Sequence, residues 1–91
     1  MSTEGEFTEY DPYIKMFTEA MRYKLRKNSS KGFLGDVPAA DLLVLLKKEV
    51  EELEEAMSRA NHIETMLEGA DVANFALGIM IKIMKGTVNG V

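Results

Sequence analysis

Four acids in this chain sit where an acid is costly. Glu49 and Glu52 stand three residues apart in the run Lys47-Lys48-Glu49-Val50-Glu51-Glu52-Leu53, and Glu68 and Asp71 stand three apart in Glu68-Gly69-Ala70-Asp71. On a helix, at about 100° per residue, such spacing puts side chains on one face. Glu49 then falls inside the apolar stripe of Leu42, Leu45, Leu46, Leu53, Ala56 and Ala60, and Glu52 falls on its edge. Lys47, Lys48, Glu51, Glu54 and Glu55 occupy the opposite face, where charges stay solvated. Glu68 and Asp71 share with Glu64, Asn74 and Lys82 the one polar strip of a segment that is otherwise apolar.

Burying an unpaired carboxylate costs several kcal/mol even after relaxation, and four at one interface would also repel each other. A compensating cation is therefore required. Magnesium takes oxygen ligands in octahedral geometry, keeps several waters and bridges to substrate phosphates; manganese accepts the same oxygen donors. The competing account is direct pairing of some acids with Lys24, Lys31 or Lys82. A di-iron carboxylate bundle would need Glu-x-x-His on two helices, yet the single histidine, His62, has Arg59 three residues before it. Cysteine is absent, which removes disulfides, zinc-thiolate sites and thiol nucleophiles. Lys24 and Asn28 lie close to the face carrying Phe17, Met21 and Leu25, and Lys31 follows in the next loop. Together they suit phosphate oxygens, although for Lys24 taken alone a lysine snorkelling from the core border is the commoner arrangement.

Three helices must position these groups. Proline occurs only at positions 12 and 38, and the polar, glycine-containing break at residues 28–36 separates one helix from the rest. Phe7, Tyr10, Ile14, Phe17, Met21 and Leu25 repeat at helical spacing and predict a first helix from position 8 or 11 to 27, with Asp11 as cap and Pro12 in the first turn. A second is expected from about 36 to 59, with Pro38 in its first turn, and a third from about 63 to 85, released by Gly86 and Gly90. From residue 70 to 84 the third helix is apolar around most of its circumference, which predicts burial on several sides. Three short helices cannot enclose it, so a second copy of the chain is expected against it. The expectation is an all-α, three-helix chain forming an oligomeric helical bundle: residues 1–10 as a flexible segment, 11–86 as the domain and 87–91 as a flexible tail.

Ninety-one residues make one domain with a marginal core. A net charge of -4 speaks against broad nucleic-acid binding, which draws on cationic side chains, although Arg22, Lys24, Arg26, Lys27 and Lys31 cluster. No apolar run approaches the ~20 residues of a membrane span, and the acidic start is unlike a secretory signal. A soluble, cytoplasmic protein is the default expectation.

Glu49-Val50-Glu51-Glu52-Leu53 followed by Glu68-Gly69-Ala70-Asp71-Val72-Ala73-Asn74 resembles the paired Glu-x-x-Glu and Glu-x-x-Asp motifs of the all-alpha nucleoside triphosphate pyrophosphatases, which include MazG, the dimeric dUTPases and phosphoribosyl-ATP pyrophosphohydrolase. The stretch from Met21 through Lys24 and Asn28 to Lys31-Gly32 is similar to a compact MazG-like subgroup. The resemblance covers roughly residues 17–84 and implies a bundle built from a homodimer or homotetramer. It implies magnesium-dependent cleavage of a (d)NTP between the alpha and beta phosphates, giving the monophosphate and pyrophosphate. Metal ligation would fall to Glu49, Glu52, Glu68 and Asp71, and substrate contact to Lys24, Asn28, Lys31 and Asn74. Glu49 and Glu52 are the candidate catalytic acceptors of the water proton. Many relatives carry a further acid just before the first motif glutamate; here Lys48 stands there and is expected to face outward. The rival expectation is a non-catalytic helical module for oligomerisation or partner binding, for which the methionines of the third helix would suit irregular contacts.

Overall fold

Backbone turns rather than side-chain caps mark the starts of the first two helices. The computed structural model describes residues 8–88, so residues 1–7 and 89–91, with Phe7 and most of the expected flexible ends, lie outside the described residues. α1 spans Asp11–Lys27, α2 Ala39–Ser58 and α3 His62–Val88, with two 3-10 turns, Ser29–Lys31 and Leu34–Asp36, joining α1 to α2. No strand occurs among the described residues. The all-helical architecture with three α-helices therefore agrees with the sequence reading.

The caps differ from expectation in instructive ways. Tyr10, not Asp11, is the N-cap of α1, and it supplies no side-chain cap. Asp11 instead lies in the first turn, where its charge favours the helix dipole, and it accepts a hydrogen bond from Thr8 Oγ1 at 2.8 Å. Pro38 flanks α2 rather than entering it: its ψ of 141° is extended, and its carbonyl accepts the first helical bond from Leu42 N–H. At the other end of α2, Asn61 N–H reaches Ala56 O and Ala60 N–H reaches Met57 O, a Schellman closure. It forces Ala60 to a φ of 55°, so that residue faces out of the turn instead of completing the inner stripe. Asn61 then caps α3, its Oδ1 accepting Glu64 N–H at 3.0 Å. α3 passes through Gly86 to Val88; a helical glycine costs about 1 kcal/mol, which is not enough by itself to end the helix.

α3 is the central element, and both other helices pack on it. Leu42 is fully buried against Gly78, where an added Cβ would sit 3.1 Å from both Leu42 Cδ1 and Leu34 Cβ. An alanine there would oblige Leu34 and Leu42 to shift by a few tenths of an ångström. Ala56 and Ala70 are likewise buried. In this antiparallel register, seven residues along α2 from Leu42 and seven back along α3 from Gly78 bring Glu49 level with Asp71. Glu52 comes level with Glu68 by the same reasoning.

α1 meets α3 within residues 69–74: Phe17 lies over Gly69, and Asn74 Nδ2 donates to Met21 O at 3.1 Å. Tyr10, Ile14 and Leu25 of the α1 stripe are exposed, as is Leu45 on α2. The expected inner stripes were therefore too broad, because α1 and α2 have no extensive contact with each other and each packs on α3 alone among the α-helices. Met66, Met80 and Met84 of α3 are exposed. No helix among the described residues is long and apolar enough to cross a membrane.

Candidate functional site

The hairpin of α2 and α3 delivers the acids, while α1 and the loop after it deliver the cations. Glu49, Glu68 and Asp71 each offer one carboxylate oxygen, and these lie within 4.8 Å of one another. Glu52 lines the same cleft without joining that trio, so the structure brings together three of the four expected ligands and sets the fourth beside them. Lys48 is exposed, facing away as the helical wheel requires.

The electrostatics of the trio are those of acids lacking sufficient counter-charge. The Glu49 carboxyl is pushed up to about 8, first by burial, then by a hydrogen bond to Glu68 that only its protonated form can donate, then by the negative charges of Asp71, Glu52 and Glu68. When these carboxyls are ionised, Glu49 Oε2 is buried with no hydrogen-bond partner. Burial also raises the Asp71 carboxyl, against the opposing pull of Lys24. Lys24 Nζ stands 3.2 Å from Asp71 Oδ2, and the two side chains are only 16% and 15% exposed. Direct lysine pairing is thus realised at Asp71. Lys31, exposed on the rim, adds a weaker attraction to the same acid. Glu64 is drawn off to Arg59 at 2.6 Å and belongs to the surface.

The acids open into a cleft of about 720 Å³, walled also by Lys24, Asn28, Lys31, Phe33 and Asn74. That volume suits a small organic ligand. Asn74 is buried, at 4% exposure; with its Nδ2 committed to Met21 O, its Oδ1 has no partner. All eight expected site residues therefore line one cleft. The donor set is entirely oxygen, with one buried oxygen unpartnered, which fits a hard divalent cation.

Sequence reasoning missed how the loop over the cleft is held. Gly32 adopts φ 101° and ψ 178°, a conformation essentially reserved for glycine. Lys82, grouped by the helical wheel with the acids, lies three turns beyond Asp71 and donates to Gly35 O at 2.8 Å. Lys85 Nζ sits 5.6 Å from the centroid of the half-exposed Phe33 ring and 3.9 Å from Asp36 Oδ1. Lysines on α3 thus clasp the loop. Lys82→Met strands the Gly35 carbonyl, and the loss of one partner of a buried group costs about 1–3 kcal/mol. The expected result is a lower melting temperature with faster amide hydrogen exchange in residues 33–37 than in α2; uniform protection would contradict the clasp.

No protein-family model matches the chain, and neither the curated proteins nor the solved structures give a match.

Proposed function

We propose that this chain is a magnesium-dependent nucleoside triphosphate pyrophosphohydrolase of the MazG-like helical kind, converting a (d)NTP and water to the monophosphate and pyrophosphate. The observation that carries this reading is the trio of inward carboxylates, one with an unpartnered buried oxygen, opening into the same cleft as two lysines and two asparagines. Acids arranged in this way would destabilise the fold without a cation. The lysines at their edge supply what a polyanion needs.

Glu49, Glu68 and Asp71 would hold magnesium, or manganese in its place. The bound ion would neutralise the triphosphate and make the attacking water more acidic. Glu52, which lies outside the trio, remains free to accept the water proton, while Glu49 serves as a ligand. Lys24 and Lys31, on the walls of the cleft, offset charge on the phosphates. Asn28 and Asn74 orient the substrate from the cleft walls.

Exposed Tyr13, Met80 and Met84, set against a core of very few fully buried residues, support assembly as a homodimer or homotetramer. The same exposed residues favour a second reading, a helical oligomerisation module without catalysis. Incubating the purified protein with magnesium and a panel of nucleotides decides between them. The enzyme releases pyrophosphate and monophosphate; orthophosphate as the first product, or no turnover of any nucleotide, would defeat the assignment.

A further inference from the structure

The cation nearest the acids is a side chain of the protein itself. Lys24 Nζ stands 3.2 Å from Asp71 Oδ2 with both side chains largely buried, and Asp71 is also one of the three residues whose oxygens converge within 4.8 Å. Asp71 cannot serve both cations equally well, because an ammonium and a divalent ion a few ångströms apart repel each other strongly in a partly desolvated cleft. Lys24 can yield, since its charge rides on a flexible four-carbon stem. A destination lies nearby: Asn74, one turn along α3 from Asp71, holds a buried Oδ1 without a donor, and its Nδ2 already ties it to Met21 on the same face of α1 as Lys24.

We propose that Lys24 is a resident counter-ion of Asp71 that leaves when the acids take up a divalent cation, so that its ammonium turns toward Asn74 and the phosphate-binding part of the cleft only in the metal-loaded protein. This rests on the reading of the acids as a metal site. Metal uptake and polyanion binding are then coupled through a single side chain, and by linkage each strengthens the other. Before metal uptake Lys24 limits the self-repulsion of the acids. In the loaded cleft it becomes a phosphate contact. A lysine that served only as fixed structure would remain on Asp71 throughout.

The test titrates manganese alone, without nucleotide, into the full chain and its Lys24→Met variant, following free ion by its magnetic resonance signal. In parallel, the rate at which an amine-acylating reagent modifies Lys24 in the unaltered protein is measured by mass spectrometry with and without magnesium. The expected results are manganese affinity about tenfold higher in the variant, within the usual range of coupling between sites, and acylation of Lys24 several-fold faster with magnesium. Unchanged or slower acylation in a protein that does bind manganese overturns the exchange and leaves the metal site standing. Equal or weaker manganese affinity in a folded variant does the same. If the unaltered protein binds no manganese, both the exchange and the metal site fall. Should the variant not fold, the acylation measurement alone decides.

Discussion

Asp71→Asn is expected to abolish pyrophosphate release while leaving the helical content intact. The substitution keeps the shape of the side chain but removes the charge that pairs with Lys24 and one of the three anionic donors that converge in the cleft. Disturbing even a supporting partner of a metal ligand commonly costs 10–100-fold, so loss of a ligand should reach at least about a hundredfold in kcat/KM. Glu52→Gln should lower kcat by a similar order for a different reason. Glu52 is outside the trio, so its loss removes the proton acceptor and should leave manganese affinity within a few-fold of the unaltered protein. Equal loss of metal binding in both variants would place Glu52 among the ligands; full activity in either would remove the acids from the chemistry. Pyrophosphate release and manganese titration, run on the same preparations, separate these outcomes.

The second large effect concerns stability. In the absence of metal, the fold should weaken as pH rises from about 4.5, the ordinary value of the Glu49 carboxyl, to about 8, its value in the folded chain. Across that window the folded protein holds a proton that the unfolded chain has given up, so unfolding releases a proton and rising pH favours it. Below the window the contribution is fully present, and above it nothing more is lost from Glu49. Asp71, also raised, acts in the same direction. Magnesium should reverse the trend, since ligation displaces the proton. At a hundred times its dissociation constant, a ligand adds about 2.7 kcal/mol, on the order of 10 °C in melting temperature for a domain of this size. Glu49→Gln should melt above the unaltered protein in metal-free buffer at pH 8, because an amide neither repels the other acids nor carries a charge to desolvate. Its response to magnesium should be small. Thermal melts from pH 4.5 to 8 test this, and a flat, magnesium-independent profile would contradict the account.

Much of this architecture could be read from residue types alone, and the reason is periodicity. Helix positions followed from the two prolines and the polar break, and the inward placement of Glu49, Glu68 and Asp71 followed from their phase against leucine and alanine. A helical wheel gives direction but neither reach nor neighbours. It could not tell that Glu52 stays outside the trio, because that depends on side-chain reach across the α2–α3 contact. It grouped Lys82 with Asp71 because the two share a phase, although three turns of helix separate them. It overstated the burial of Ile14 and Leu25, because amphipathicity shows which face could pack and not whether anything arrives to cover it. The left-handed Ala60 carried no sequence signal, since alanine is a strong helix former.

The hairpin closed by Ala60 and Asn61 has a kinetic consequence. Every acid of the site lies between positions 49 and 71, on two helices joined by a three-residue turn, so the constellation is brought together by short-range chain contacts of the kind that form early. α1, which carries Lys24, must return from farther along the chain. Before α1 docks, the carboxylates are expected to face one another with no ammonium between them, so a divalent salt in the refolding buffer should speed closure of the hairpin more than docking of the first helix, whose Lys24 the ion displaces from Asp71.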